Sequence, residues 1–95
     1  MAESHYCIFE TRRFIAALQR LDPSVRLPIQ RKLEEYVYPQ LRREPHVGPN
    51  IKKLRDWVPE AWRYRIGPWR FFYEIHESER MVYLLTVDHR GEAYR

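Results

Sequence analysis

The clearest chemistry in this 95-residue sequence lies in two short segments that alternate apolar and basic residues. Trp62, Tyr64 and Ile66 alternate with Arg63 and Arg65. Trp69, Phe71, Tyr73 and Ile75 alternate with Arg70, Phe72, Glu74 and His76. Gly67-Pro68 separates the two runs. Glycine accepts a positive φ and proline fixes a negative one, which predicts a two-residue type II′ hairpin turn. Ile66 then pairs with Trp69, Arg65 with Arg70, and Arg63 with Phe72. Period-two alternation puts Arg63, Arg65, Arg70 and Phe72 on one face. Like charges set directly opposite one another destabilise a hairpin. A bound polyanion turns that cost into affinity, and an aromatic ring among arginines offers a surface for stacking a nucleobase. A plainer reading fits the same residues: solvated arginines paired with Glu60 or Glu74.

Other groups extend this pattern. Lys52, Lys53 and Arg55 form a basic cluster just before the hairpin, read either as an RNA-binding patch or as a solvated loop. His89, Arg90, Glu92 and Tyr94 follow the last strand and lie beside the hairpin in sequence-based expectation. Among these four residues histidine is the side-chain type suited to proton transfer, and His89 reads either as such a group or as a plain surface histidine. Tyr94 would stack on a base, donate a proton, or simply pack. His5, His46 and His76 show no ligand spacing, so no metal site is expected. With three glycines in the chain there is no phosphate-cradling loop. Cys7 is the one cysteine, which excludes an internal disulfide or a cysteine zinc site, and its place in a strand predicts a buried, inert thiol.

Composition sets the frame. Ninety-five residues make a single domain, 1–95, with one modest core. The apolar fraction is 44%, which fits a globular chain rather than a disordered one. The net charge is +4, and 14 of the 17 basic residues are arginine, the side chain whose planar fork grips phosphate or carboxylate. Basic and acidic residues are spread evenly along the chain, so any basic site must be made by folding. The start is polar and no long apolar run follows, so neither a secretory signal nor a membrane span is expected, and the expected setting is the cytoplasm.

The elements that position these residues follow from periodicity. His5 to Glu10 reads as a strand with Tyr6, Ile8 and Phe9 as its apolar content. Thr11 is an N-cap candidate for a helix over 12–21, where Phe14, Ala17, Leu18 and Leu21 share one face. Asp22-Pro23 ends it. Val25, Ile29, Leu33, Val37 and Leu41 recur every four residues and predict a second helix. Its regular part is placed at 28–42 because proline is comfortable only in a first turn, with Pro39 marking a kink. Residues 43–50 form a turn-rich loop. His76 to Arg80 is a polar turn, and Val82 to Val87 reads as a central strand covered on both faces. The order β-α-α-β-β-β predicts an α+β fold: a small twisted antiparallel sheet carrying a helical hairpin.

Three stretches carry a resemblance: K-K-L-R-D at 52–56, W-R-Y-R-I-G-P-W-R-F-F-Y-E-I at 62–75, and V-D-H-R-G-E-A-Y-R at 87–95. In this order and spacing they resemble the RelE/ParE toxin superfamily of bacterial toxin–antitoxin systems, and the RelE branch in particular. The N-terminal half is similar in layout only, a strand and then a helical hairpin ending in Leu-x-x-x-Pro. The resemblance implies a metal-independent, cofactor-free mRNA interferase that enters the ribosomal A site beside 16S rRNA and cuts the codon there. It also implies a cognate antitoxin, for which residues 12–42 are expected to present part of the surface. Arg63, Arg65 and Arg70 match basic positions of the family's sheet, and Arg90 and Tyr94 match its C-terminal Arg and Tyr. Where well-known members carry lysines, this chain has Arg63 and Arg65, which cannot act as proton acceptors. On this resemblance His89 becomes the expected base, with Arg90 stabilising charge, Tyr94 stacking, and Glu92 a weaker alternative base. Two other functions share the frame: a ParE-like gyrase inhibitor without nuclease activity, and an inactive RNA-binding relic.

Overall fold

The computed structural model describes residues 5–89. Its elements are β1 (Cys7–Glu10), α1 (Arg12–Gln19), α2 (Pro23–Lys32), a π-helical turn (Leu33–Val37), α3 (Tyr38–Arg43), β2 (Ile51–Lys53), β3 (Trp62–Ile66), β4 (Trp69–His76), a 3-10 turn (Glu77–Glu79) and β5 (Met81–His89). The strands form one sheet in the order β1-β5-β4-β3-β2. The α+β layout is the expected one, with two additions. Ile51–Lys53 pairs antiparallel with β3 as a further strand. β1 runs parallel to β5, so the sheet is mixed. Parallel neighbours cannot share a tight turn, and here the helices and the rest of the sheet lie between them in sequence.

The helices cover one face. Phe14, Leu18, Ile29, Leu33, Val37 and Leu41 are buried against Phe71, Tyr73, Val82 and Leu84, and the Phe14 and Phe71 rings lie 6.3 Å apart. Thr11 ties this layer to the sheet. Its Oγ1 accepts from the Phe14 N–H at 3.2 Å, capping α1, and donates to the Leu84 carbonyl at 2.6 Å.

The second helix differs from expectation at its start. It begins at Pro23, not at 28, with Asp22 as its cap: the carboxylate accepts from the Ser24 N–H at 3.0 Å. Proline suits the first helical position because its missing N–H would be unpaired there. Pro28 then lies on an exposed side of the helix interior. The predicted kink at Pro39 takes the form of the π-helical turn that precedes it. Pro39 cannot donate to Glu35, and the Tyr38 N–H reaches back to the Leu33 carbonyl instead. The wider turn also explains the four-residue apolar period. In a regular α-helix a four-residue step overshoots one turn by about 40°, so the stripe would leave the core. The π-helical turn rotates it back, and Ile29, Leu33, Val37 and Leu41 all stay buried.

Two further expectations are corrected. β5 is covered on one face only: Val82, Leu84 and Val87 are buried, while Tyr83, Leu85, Thr86 and Asp88 are half-buried. A register shift at Phe72/Tyr73 makes this possible by changing which residues of β5 face the helices. Cys7 is exposed rather than buried, because it opens an edge strand on the side away from the helices.

Polar contacts pin the loop over residues 44–50. Tyr73 Oη donates to the Pro45 carbonyl at 2.6 Å inside the core. Tyr64 Oη donates to Gln40, whose Nε2 donates to the Pro49 carbonyl at 2.9 Å. At the loop's start, His46 Nδ1 lies 2.8 Å from Glu44 and its Nε2 lies 3.1 Å from Glu77. Tyr6 Oη donates to Glu77 at 2.6 Å, and Arg80 reaches both. The His46 backbone N–H and side chain hold the Glu44 carboxyl below its ordinary range. The Tyr6 hydroxyl does the same for Glu77, aided by His46 and Arg80.

Candidate nucleic-acid interface

Opposite the helices, the sheet carries a basic face. The β3–β4 hairpin turns through Gly67 at φ +55°, and its register pairs Ile66 with Trp69, Arg65 with Arg70, and Arg63 with Phe72, as the sequence predicts. The neighbouring strands complete two ranks across the sheet. One runs Arg65, Arg70, Asp88; the other runs Lys52, Arg63, Phe72, Thr86.

The three arginines differ in their surroundings. Arg70 is only 6% exposed, so its guanidinium is held largely out of water. Arg63 is half-buried, and its Nε is buried with no hydrogen-bond partner among the described residues. An unmatched buried donor costs about 1–3 kcal/mol, a cost that an incoming acceptor removes. Arg65 is exposed and bends back to the turn, where its Nε donates to the Gly67 carbonyl at 3.2 Å. Three arginines and a lysine thus converge on one face, with the least solvated charge on the central strand.

The basic cluster before the hairpin is divided. Lys52 stands across from Arg63 on this face. Lys53 points the other way, lying over the Trp62 ring at 5.6 Å and paired with Glu60 at 3.0 Å. Arg55 is exposed in the β2–β3 loop. Glu60, named above as a partner for the hairpin arginines, is thus engaged by Lys53. Glu74 lies 3.0 Å from His76.

Phe72 has the expected face and a different exposure. It is 7% exposed, because Trp57 from the β2–β3 loop stacks on it, with ring centres 6.0 Å apart and planes 13° apart. The ring presented to solvent is therefore Trp57. Its position in a loop carries no periodicity, so the sequence does not reveal which way it points.

His89 is separated from the arginines. It pairs with Trp69, and its ring meets Trp69 edge-on at 4.8 Å. Alternation places it on the helix side, while its neighbour Asp88 stands across from Arg70. Asp88 is a further candidate, which no local spacing in the sequence singles out. The pairing of β5 with β4 points to it, but only once the register is known. Arg90, Glu92 and Tyr94 lie outside the described residues. Among those described, no group of His, Cys, Asp or Glu could hold a metal ion, and no helix is long and apolar enough to cross a membrane.

A five-stranded mixed sheet with helices on one face and a basic opposite face has the RelE-like fold. The toxin–antitoxin complex RelBE2 of Mycobacterium tuberculosis contains a chain that is 28% identical, with a TM-score of 0.70, covering 92% of this chain and 93% of that one. The intact RelBE toxin–antitoxin complex of E. coli gives a TM-score of 0.64 at 19% identity, with 90% and 96% coverage, and supports the fold alone. Toxin RelG of M. tuberculosis is 37% identical over 62 residues, which is 64% of this chain and 68% of the relative. The model of the family "ParE toxin of type II toxin-antitoxin system, parDE" matches residues 8–94. The chain belongs to that family, and is a type II toxin of the RelE/ParE superfamily.

Proposed function

We propose that this toxin is a ribosome-dependent mRNA endonuclease, with the basic sheet face as its active surface. One observation carries the reading. Arg70 is almost fully withdrawn from water on a face that also holds Lys52, Arg63 and Arg65. A charge held out of water, where the effective dielectric is low, acts more strongly on a charge that develops beside it than one in bulk solvent does. That favours a phosphate on this face, and above all a doubly charged phosphorane.

The chemistry is attack of a ribose 2′-oxygen on the adjacent phosphorus. The 2′-OH proton passes to a base, the phosphorus takes on a second negative charge, and the 5′-oxygen leaves with a proton from an acid. A 2′,3′-cyclic phosphate and a free 5′-hydroxyl result. Arg70 stabilises the phosphorane, and Arg63 and Lys52 hold the flanking phosphates. Asp88, across from Arg70, takes the base role in preference to His89, which faces Trp69. Arg90 and Tyr94 enter this proposal through the family resemblance, as charge stabiliser and stacking ring. The ribosome supplies the ordered mRNA, so that positioning does much of the work.

The partners in this reading are mRNA in the A site, the surrounding 16S rRNA, and a cognate antitoxin. The related RelBE2 and RelBE structures are toxin–antitoxin complexes, which supports the last. The antitoxin surface lies on residues 12–42 and the adjoining edge of β1. There Phe9, Ile15 and Leu27 are exposed and a hollow of about 590 Å³ opens beside Glu10, Glu34 and Tyr38.

The test is 5′-end mapping of a defined mRNA in a translating bacterial extract, with and without purified toxin, and on the same RNA free of ribosomes. In-frame cuts that need ribosomes are expected. The family model's ParE description favours a second reading, gyrase poisoning. Growth arrest with no cuts, together with loss of supercoiling by purified gyrase, would select it and make the arginine face a binding surface.

A further inference from the structure

Trp57 is a large aromatic ring that the core does not use. It sits in the loop between β2 and β3, whose base is closed by the Leu54 N–H donating to the Ala61 carbonyl at 2.9 Å. Asp56, just before it, takes a left-handed backbone at φ +61°, which turns the chain and sets the ring over the sheet. One face of the indole lies on Phe72, and 51% of the residue remains exposed, next to Val58 at 96%. A buried core residue would not leave so much apolar surface in water.

On its loop side the ring is flanked by charges of both signs, with Arg55 exposed and Lys53 paired with Glu60. Lys53, Leu54, Arg55, Asp56, Trp57 and Glu60 line a hollow of about 520 Å³, within the range of small-ligand sites, roughly 300–1,000 Å³. On the sheet side, Phe72 stands across from Arg63 and two residues along β4 from Arg70, a distance of about 7 Å. Trp57, stacked on Phe72, thus lies over the rank that holds Arg63, and a phosphate held by Arg63 and Arg70 would lie to one side of the indole. A flat apolar ring beside a row of cations is how single-stranded nucleic acid is held: cations track the backbone while rings stack the bases.

We infer that Trp57 is the stacking platform for the nucleobase flanking the cleaved phosphate, with Arg55 meeting the next phosphate outward. This rests on the endonuclease reading above and adds a determinant of which codons are cut. A larger base covers more of the indole, so a purine is favoured at that place. Phe72 backs the platform from below and fixes the tilt of the indole.

The experiment is single-turnover cleavage on programmed ribosomes, with mRNAs that carry a purine, a pyrimidine or an abasic nucleotide beside the cut. Parent toxin, Trp57→Phe and Trp57→Leu are compared, each checked by thermal melting. Leucine still covers Phe72 but cannot stack, so it separates cover from stacking. Removing the base should slow the parent by about 5–150-fold, the range of one base–aromatic stack. Trp57→Leu should lose a similar factor on the purine mRNA and show no further loss on the abasic one. Trp57→Phe should recover part of it. Equal rates for parent and Trp57→Leu on every mRNA would overturn the platform and leave the nuclease reading standing. So would a slowing of Trp57→Leu by the same factor on purine and abasic mRNA, which marks structural cover only. A parent toxin that cuts none of the mRNAs would overturn both.

Discussion

Replacing each hairpin arginine by methionine tests whether burial sets its catalytic weight. Methionine keeps the straight apolar stem and removes the charge. The expected magnitudes follow from exposure. A unit charge about 4 Å from a developing phosphorane charge is worth roughly 4 kcal/mol at an effective dielectric near 20, and about 1 kcal/mol in bulk water. Arg70, at 6% exposure, belongs with the first value. Arg65 is exposed and tied to the turn, and belongs with the second. Converted to rates, Arg70→Met should slow cleavage by about 1,000-fold and Arg65→Met by about fivefold. Arg63→Met, half-buried, should fall between them. Arg70→Lys should recover only part of the loss, since it restores a charge without the planar fork. The assay is single-turnover cleavage on programmed ribosomes, with circular dichroism and thermal melting to show that each variant is folded. A folded Arg70→Met toxin that keeps more than a tenth of the parent rate would refute the reasoning. An Arg65→Met variant as damaged as Arg70→Met would do the same, because burial would then not set the order.

Other measurements address the base and the scaffold. If Asp88 takes the 2′ proton, Asp88→Asn abolishes the acid limb of the cleavage pH profile. His89→Gln then leaves that limb in place, and the reverse pattern would restore His89 to the role. Tyr73→Phe leaves the Pro45 carbonyl unmatched in the core and should cost about 1–3 kcal/mol in urea unfolding, with activity kept once folded. Glu44 and Glu77 titrate lower in the folded chain than in the unfolded one. Their contribution to stability is present above the ordinary carboxylate range and is lost as pH falls through their depressed folded values. Glu77→Gln should therefore flatten the fall in melting temperature between neutral and acid pH, and an unchanged slope would remove Glu77 from that role.

Much of the sheet was legible because alternation and turn chemistry act locally. Gly67-Pro68 fixes the hairpin register, and the register decides which side chains share a face. The features that local pattern does not encode depend on partners remote in sequence. β1 pairs parallel with β5, which no local pattern encodes. The register of β5 against β4 includes a shift at Phe72/Tyr73, so His89 and Asp88 could not be assigned faces from spacing. Alternation gives the strand face of Phe72 but not the Trp57 ring above it, because a loop residue has no period to read. Pro28 argued for a late helix start, whereas Asp22 and Pro23 together make a better beginning five residues earlier. The four-residue apolar repeat was visible, yet its mismatch with a regular helix was the clue to the π-helical turn.

The pairing of β1 with β5 also bears on when the molecule becomes itself. Cys7 to Glu10 must wait for Met81 to Leu84 before its hydrogen bonds can form, and the cap of α1 waits for the Leu84 carbonyl. Contacts so far apart in sequence form late and slow folding. During synthesis the hairpin with its arginines emerges before the strand that seats β1. A nascent chain therefore carries β1 and α1 unanchored until Met81 to Leu84 are made. The five-stranded sheet can assemble only once β5 has been made, so a product of translation interrupted before Met81 would lack the strand that joins β1 to β4.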